Sequence, residues 1–207
     1  MNESKKGLRI VAGILLLLVA CYSAFSTLTA FATILQHGAT VSGNFVISVF
    51  TQVLSVLTAI FILTRKFTAA AVMRCVILAA SAVMLGVSFA RTSNGFSLDA
   101  LRQGGASIPL SVAMRCASFT ASILIIIGLF LHNRKAMPLL IVAAVLLVAA
   151  AIGQAGATLL NYIELYGADR ALDIVGTSMI QTIAPALLAL PAWILLGVYF
   201  GAQNKNA

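Results

Sequence analysis

The chain has 207 residues, of which 61% are hydrophobic and only 9% charged, and its mean hydropathy is +1.08. An average soluble domain carries roughly 25% charged residues, so water is excluded as the solvent for most of this chain and no stretch is left over for a separate catalytic domain. The net charge of +8 does not point to nucleic acid, because the basic residues fall in short clusters at the ends of apolar runs rather than along one face.

A hydrocarbon layer about 30 Å thick takes about 20 apolar residues per helical crossing. Runs of that order recur along the whole sequence, which predicts an all-α, polytopic integral membrane protein. Its architecture is a six-transmembrane-helix bundle forming one membrane domain over 1–207, with spans near 8–35, 44–63, 68–90, 108–131, 138–160 and 174–200.

The first span follows a basic start. Leu18-Val19-Ala20-Cys21 fits a bacterial lipoprotein signal pattern and Ala30-Phe31-Ala32 a small-residue cleavage site. The apolar run continues to Leu35, longer than a signal core, so the span is expected to be kept. In the second span Gln52 reads as an interhelical hydrogen-bonding residue.

The third and fourth spans share a string. Met73-Arg74-Cys75 with Ala80-Ser81 matches Met114-Arg115-Cys116 with Ala121-Ser122 at one offset, and Phe89 matches Phe130. An internal repeat on two oppositely directed helices is the arrangement of inverted-repeat transporters. A strict three-plus-three repeat would instead pair the first span with the fourth, which favours coincidence. An arginine at the centre of a span costs about 2.5–3.5 kcal/mol on insertion scales, so it marks a candidate functional site.

At 1.5 Å per residue Arg74 lies roughly 9 Å from the start of its span and Arg115 roughly 10 Å from the start of its own. Side chains lean toward the helix N-terminus, so both are expected to reach a headgroup layer. Because the two helices run in opposite directions, the arginines are expected near opposite faces, unable to hold one anion together. Between them, Ser97 to Gln103 reads as a short amphipathic helix.

Pro109 and Pro138 sit at the starts of the fourth and fifth spans, where a missing amide hydrogen costs nothing. Ala149, Gly153 and Ala157 form a small-residue stripe that allows close helix contact. Gln154 beside it reads first as an interhelical hydrogen bond and second as a ligand contact. Tyr162, Ile163 and Tyr166 fit an interfacial belt. The sixth span carries Thr177, Ser178, Gln181 and Thr182, then Pro185 and Pro191, which leave two carbonyls without amide partners and kink the helix.

Lysine and arginine set orientation, because cytoplasmic loops retain them. Lys5, Lys6, Arg9, Arg65, Lys66, Arg134, Lys135 and Lys205 fall on one side of a six-span chain, and only Arg91, Arg102 and Arg170 on the other. Both termini are therefore expected in the cytoplasm, with the chain in a bacterial plasma membrane.

Catalytic chemistry is thin. His37 and His132 flank spans on opposite sides, and no HExxH or CxxC pattern occurs, so neither metal ligands nor a cofactor are expected. Gly86-Val87-Ser88-Phe89-Ala90 faintly resembles a nucleophile elbow but lacks its closing glycine. The cysteines Cys21, Cys75 and Cys116 lie within apolar runs and read as packing residues.

The favoured function is transport of a small or lipid-like solute, or a place as the membrane subunit of a transporter. Arg74, Arg115, Gln154 and Gln181 are the candidate ligand contacts, and Pro185 and Pro191 the kink residues. A non-catalytic membrane scaffold is the alternative and a lipid-modifying membrane enzyme acting through Ser88 the third, with the balance against an enzyme. Expected partners are the lipid bilayer and another membrane protein or a second copy of the chain, and not nucleic acid.

Overall fold

The computed structural model describes residues 3–36, 43–91 and 107–203. Those residues form six helices, α1 Glu3–Gln36, α2 Gly43–Leu63, α3 Phe67–Arg91, α4 Ser107–Leu131, α5 Ala136–Tyr166 and α6 Ala168–Gln203. All six are long and apolar enough to cross a membrane. Many side chains turned away from the bundle are large and apolar, among them Leu18, Phe25, Val46, Val83, Val145, Leu172 and Ile180. Exposed apolar surface of that extent is stable only against hydrocarbon. The chain is a multi-pass membrane protein whose surroundings are the lipid bilayer. The segment from Ser97 to Gln103 lies outside the described residues.

Each helix packs chiefly on its neighbours in sequence, and α6 closes back onto α1. The six therefore form a ring rather than a solid bundle. Three described connections are tight. After α2, Lys66 donates its amide to the Phe61 carbonyl at 2.8 Å and Arg65 to that of Ile62 at 3.2 Å. This pair is a Schellman closure with Arg65 in the left-handed conformation, φ 64°, at the position glycine usually fills. After α4, the Asn133 side chain accepts from the Lys135 amide at 2.9 Å, an Asx turn that starts α5. Between α5 and α6 a single residue, Gly167 at φ 82°, reverses the chain.

Arg9 on α1 donates to the Ile62 carbonyl at 3.4 Å and to that of Leu63. It thereby caps the last turn of α2, where carbonyls lack amide partners and the helix dipole is negative. The basic pairs Arg65–Lys66 and Arg134–Lys135 lie at this same end of the ring, where α1 begins and α6 ends.

The core is concentrated at the end where α1 begins and α6 ends. Ala12, Ile62, Phe67, Ile125, Leu129, Leu140, Trp193, Leu196, Tyr199 and Phe200 are buried there in one cluster. Phe67 meets Phe200 edge to face at 4.8 Å and Tyr199 at 6.1 Å, closing the ring with an aromatic plug. In lipid such contacts stabilise by close packing rather than by hydrophobic transfer. Glycine allows the approach of α5 to α6, since a Cβ on Gly197 would lie 3.2 Å from the Met137 carbonyl oxygen. Toward the other end, the buried residues among those described are fewer and mostly small, such as Ala155, Ala157 and Ala171. The described residues are packed most tightly at the plug.

Candidate functional site

Above the plug the ring surrounds a partly open cavity of about 550 Å³ to which every helix contributes, within the 300–1,000 Å³ usual for small-ligand sites. From α1 come Leu16, Val19, Ala20 and Ser23, and from α2 Gln52, Ser55, Thr58 and Ala59. The next two helices supply Arg74 from α3 and Arg115 and Ser118 from α4. The wall is completed by Leu147, Ala150, Ala151 and Gln154 from α5 and by Thr182, Pro185, Ala186, Ala189 and Trp193 from α6. None of these residues is acidic.

Arg74 and Arg115, expected near opposite faces of the membrane, both line this one cavity. The expectation located each arginine relative to its own helix end and did not consider the space between. Along the bundle axis Arg74 lies about 10 Å from the Phe67 end of α3 and Arg115 about 24 Å from the Leu131 end of α4, at 1.5 Å per residue. They form a lower and an upper station in the same chamber.

The lower station is the more built. The Arg74 guanidinium carbon lies 5.1 Å from the ring centre of Trp193, a cation–π contact worth up to about 2 kcal/mol when desolvated. Its Nε is buried without a hydrogen-bond partner among the described residues. A guanidinium offers five donors and no acceptor, so the site holds a cation whose hydrogen-bonding capacity is largely unspent.

Three of the wall's hydroxyl groups are spent within their own helices, and among the described residues those of Ser23 and Ser118 are not. Ser55 donates to the Thr51 carbonyl at 2.9 Å, Thr58 to that of Leu54 at 2.8 Å, and Thr182 to that of Ser178 at 2.9 Å. The Gln154 amide donates to the Ser111 hydroxyl at 3.1 Å, so Gln154 joins α5 to α4 as well as lining the cavity. What the wall offers an incoming molecule is cationic donors and the Ser23 and Ser118 hydroxyls on an otherwise mostly apolar surface.

The other candidates are divided. Pro185 lies on the wall, whereas Pro191 is exposed and outside it. Gln181 is exposed and also off the wall, and its neighbour Thr182 takes that place. One residue along an α-helix turns the side chain by about a quarter turn or more, which decides between them. Of the small-residue stripe, Ala157 is buried, Ala149 is exposed, and the missing Cβ of Gly153 is filled by the Met114 side chain of α4. The side chains of Ser88 and His37 lie outside the described residues.

Two smaller recesses adjoin the chamber. One, about 110 Å³ between α3 and α4, is lined by Arg74, Ile77, Leu78, Ser81, Ser118, Phe119 and Ser122. It shares Arg74 and Ser118 with the cavity, and Ser81 and Ser122 are the paired serines of the repeated string. The other, about 210 Å³ between α1 and α2, is lined by Ala24, Thr27, Leu28, Val49, Gln52, Val53 and Val56, and shares Gln52 with the cavity.

Sequence reasoning missed Trp193, Ser23 and Ser118, and named Thr182 on the sixth span without choosing it as a ligand contact. Only Trp193 had a usable signal, as the one tryptophan of the chain, close behind a proline. Comparison with known protein families, curated proteins and solved structures finds no match.

Proposed function

We propose that this chain binds a small or lipid-like anionic solute inside the membrane and carries it across, alone or as the membrane subunit of a transporter. It is oriented with both termini in the cytoplasm of a bacterial cell. One observation carries the reading. Arg74 and Arg115 line a single chamber on whose wall no carboxylate stands among the described residues, so the described wall carries net positive charge. Two charges 4 Å apart attract by about 4 kcal/mol at an effective dielectric of 20, enough to offset much of an anion's desolvation. The binding residues in this reading are Arg74, Arg115 and Gln154, joined by Gln52 and Trp193.

The orientation follows from the basic residues at the end where α1 begins and α6 ends. With that end inside, the plug of Phe67, Tyr199 and Phe200 closes the cytoplasmic side of the chamber. Intramembrane cations are costly and tend to mark substrate pathways, which favours transport over a passive scaffold.

Purified protein titrated with anionic, cationic and neutral solutes tests the reading by thermal shift. A saturable shift for anions alone, lost in Arg74→Ala and reduced in Arg115→Ala, is expected. Equal shifts for all three classes, or none together with stable co-purification of another membrane protein, would sink it in favour of the scaffold.

A further inference from the structure

The chamber and its side recesses differ in chemistry in a way that bears on what the solute is. Resting on the anion reading above, we propose that the ligand is an anionic amphiphile. Its charged head occupies the chamber between Arg74 and Arg115, and its hydrocarbon chain leaves sideways through the α1–α2 recess into the bilayer.

The recess between α1 and α2 is walled mainly by Ala24, Leu28, Val49, Val53 and Val56 and holds about 210 Å³. That is room for about seven groups of water or methylene size at roughly 30 Å³ each. Leu28 and Val53 are 60% and 53% exposed, so the recess opens outward to lipid. Gln52 lines both and stands between the recess and the chamber, so the chain of the proposed ligand passes beside it. By residue count Gln52 lies about 16 Å from the Leu63 end of α2. In height it falls between the two arginines, at about 10 and 24 Å on their helices, so a head held between them sits level with the exit.

The recess between α3 and α4 makes the opposite case. It bears Arg74 and the Ser118 hydroxyl, with Ser81 and Ser122 bonded back to the Ile77 and Ser118 carbonyls, and so offers the oxygen atoms of a head a donor pair that the α1–α2 recess lacks. Energetics favours the division. A chain lying in the α1–α2 recess stays among apolar groups as it does in lipid, where helix surfaces and tails are equally apolar. Only the head leaves water, and it does so against cationic donors whose hydrogen bonds are unspent. A wholly water-soluble anion gives the α1–α2 recess no role.

The experiment uses the full chain in nanodiscs of zwitterionic lipid and a single-chain phosphate amphiphile with a photoreactive diazirine at mid-chain. The expected result is labelling of peptides from α1 and α2 around Leu28, Val49 and Val53, at least tenfold above that by the neutral alcohol of the same chain. Labelling falls at least tenfold in the Arg74→Ala, Arg115→Ala double variant. It falls comparably in Val53→Trp, which fills the recess, while the thermal shift given by inorganic phosphate is unchanged in Val53→Trp. Labelling spread over all six helices, or equal for the neutral probe, would overturn the proposal. A phosphate shift without α1–α2 labelling would overturn the amphiphile and leave the anion site standing, and loss of both would remove the two readings together.

Discussion

Arg74 on α3 lies with its guanidinium carbon 5.1 Å from the ring centre of Trp193 on α6, joining the half-buried cation of the chamber to the only tryptophan in the chain. The indole is fully buried at the chamber's lower end. Its emission therefore reports on one place only. An anion arriving on Arg74 changes the field at the indole, and a saturable change in tryptophan fluorescence is expected on titration. Arg74→Ala abolishes it, whereas Gln181→Ala, off the wall, leaves it intact. A response that survives Arg74→Ala would place the anion elsewhere.

The same cation costs stability. Arg74 is half-buried with no carboxylate beside it among the described residues, and replacing buried ionic groups by apolar ones of similar size often stabilises by about 1–4 kcal/mol. Arg74→Met is expected to raise the thermal midpoint of the purified protein while removing anion binding, the trade of stability against function usual at binding sites. A variant that both unfolds earlier and binds normally would mean that Arg74 is a structural residue.

Arg9 and Arg65 act at the end of α2 in opposite senses. Arg9 donates to the carbonyls of Ile62 and Leu63, and Arg9→Met is expected to cost about 1.5–3 kcal/mol, the range for hydrogen bonds to charged groups. Arg65 holds a left-handed backbone, φ 64°, at a cost of about 1–2 kcal/mol for a residue with a Cβ. Arg65→Gly is expected to recover about half of that, because glycine loses more entropy on ordering. Unfolding in denaturing detergent mixtures, read by circular dichroism, measures both changes.

Orientation is open to a direct check. In a variant without native cysteines, a cysteine at Gly167 in the α5–α6 turn is expected to react with an impermeant thiol reagent on intact cells. A cysteine at Asn133 in the α4–α5 turn reacts only after the cells are opened. The reverse pattern would invert the bundle and set the plug outside.

The ladder of apolar runs made the six helices legible, because in hydrocarbon a helix must satisfy its own backbone whatever its neighbours do. The site was legible in part. Arg74 and Arg115 stood out as costly residues in lipid, and Gln154 as an amide in an apolar stripe. That the two arginines share a chamber was not readable, since it depends on the helices closing into a ring, and no single helix records the position of the one opposite it. Gln181 and Thr182 differ by one position, so the choice between them rests on the rotation of α6, which a nearly uniform apolar surface leaves unmarked. Ser23, Ser118 and Thr182 look like ordinary membrane-helix hydroxyls until the space beside them is known.

Helix α6 runs the full height of the protein. Thr182 and Pro185 lie on the chamber wall, Trp193 at its lower end, and Tyr199 and Phe200 in the plug. Its two prolines remove the amide bonds that would have gone to the carbonyls of Gln181 and Leu187, each four residues back. The rod is weakest in its middle, between the part that meets the solute and the part that seals the far end. A bend there would let one segment turn while the other stays seated, so opening of the seal need not be tied rigidly to filling of the chamber. Coupling between the two is then set by the stiffness of about a dozen residues, and a helix straightened by Pro185→Ala and Pro191→Ala would bind and release as one piece.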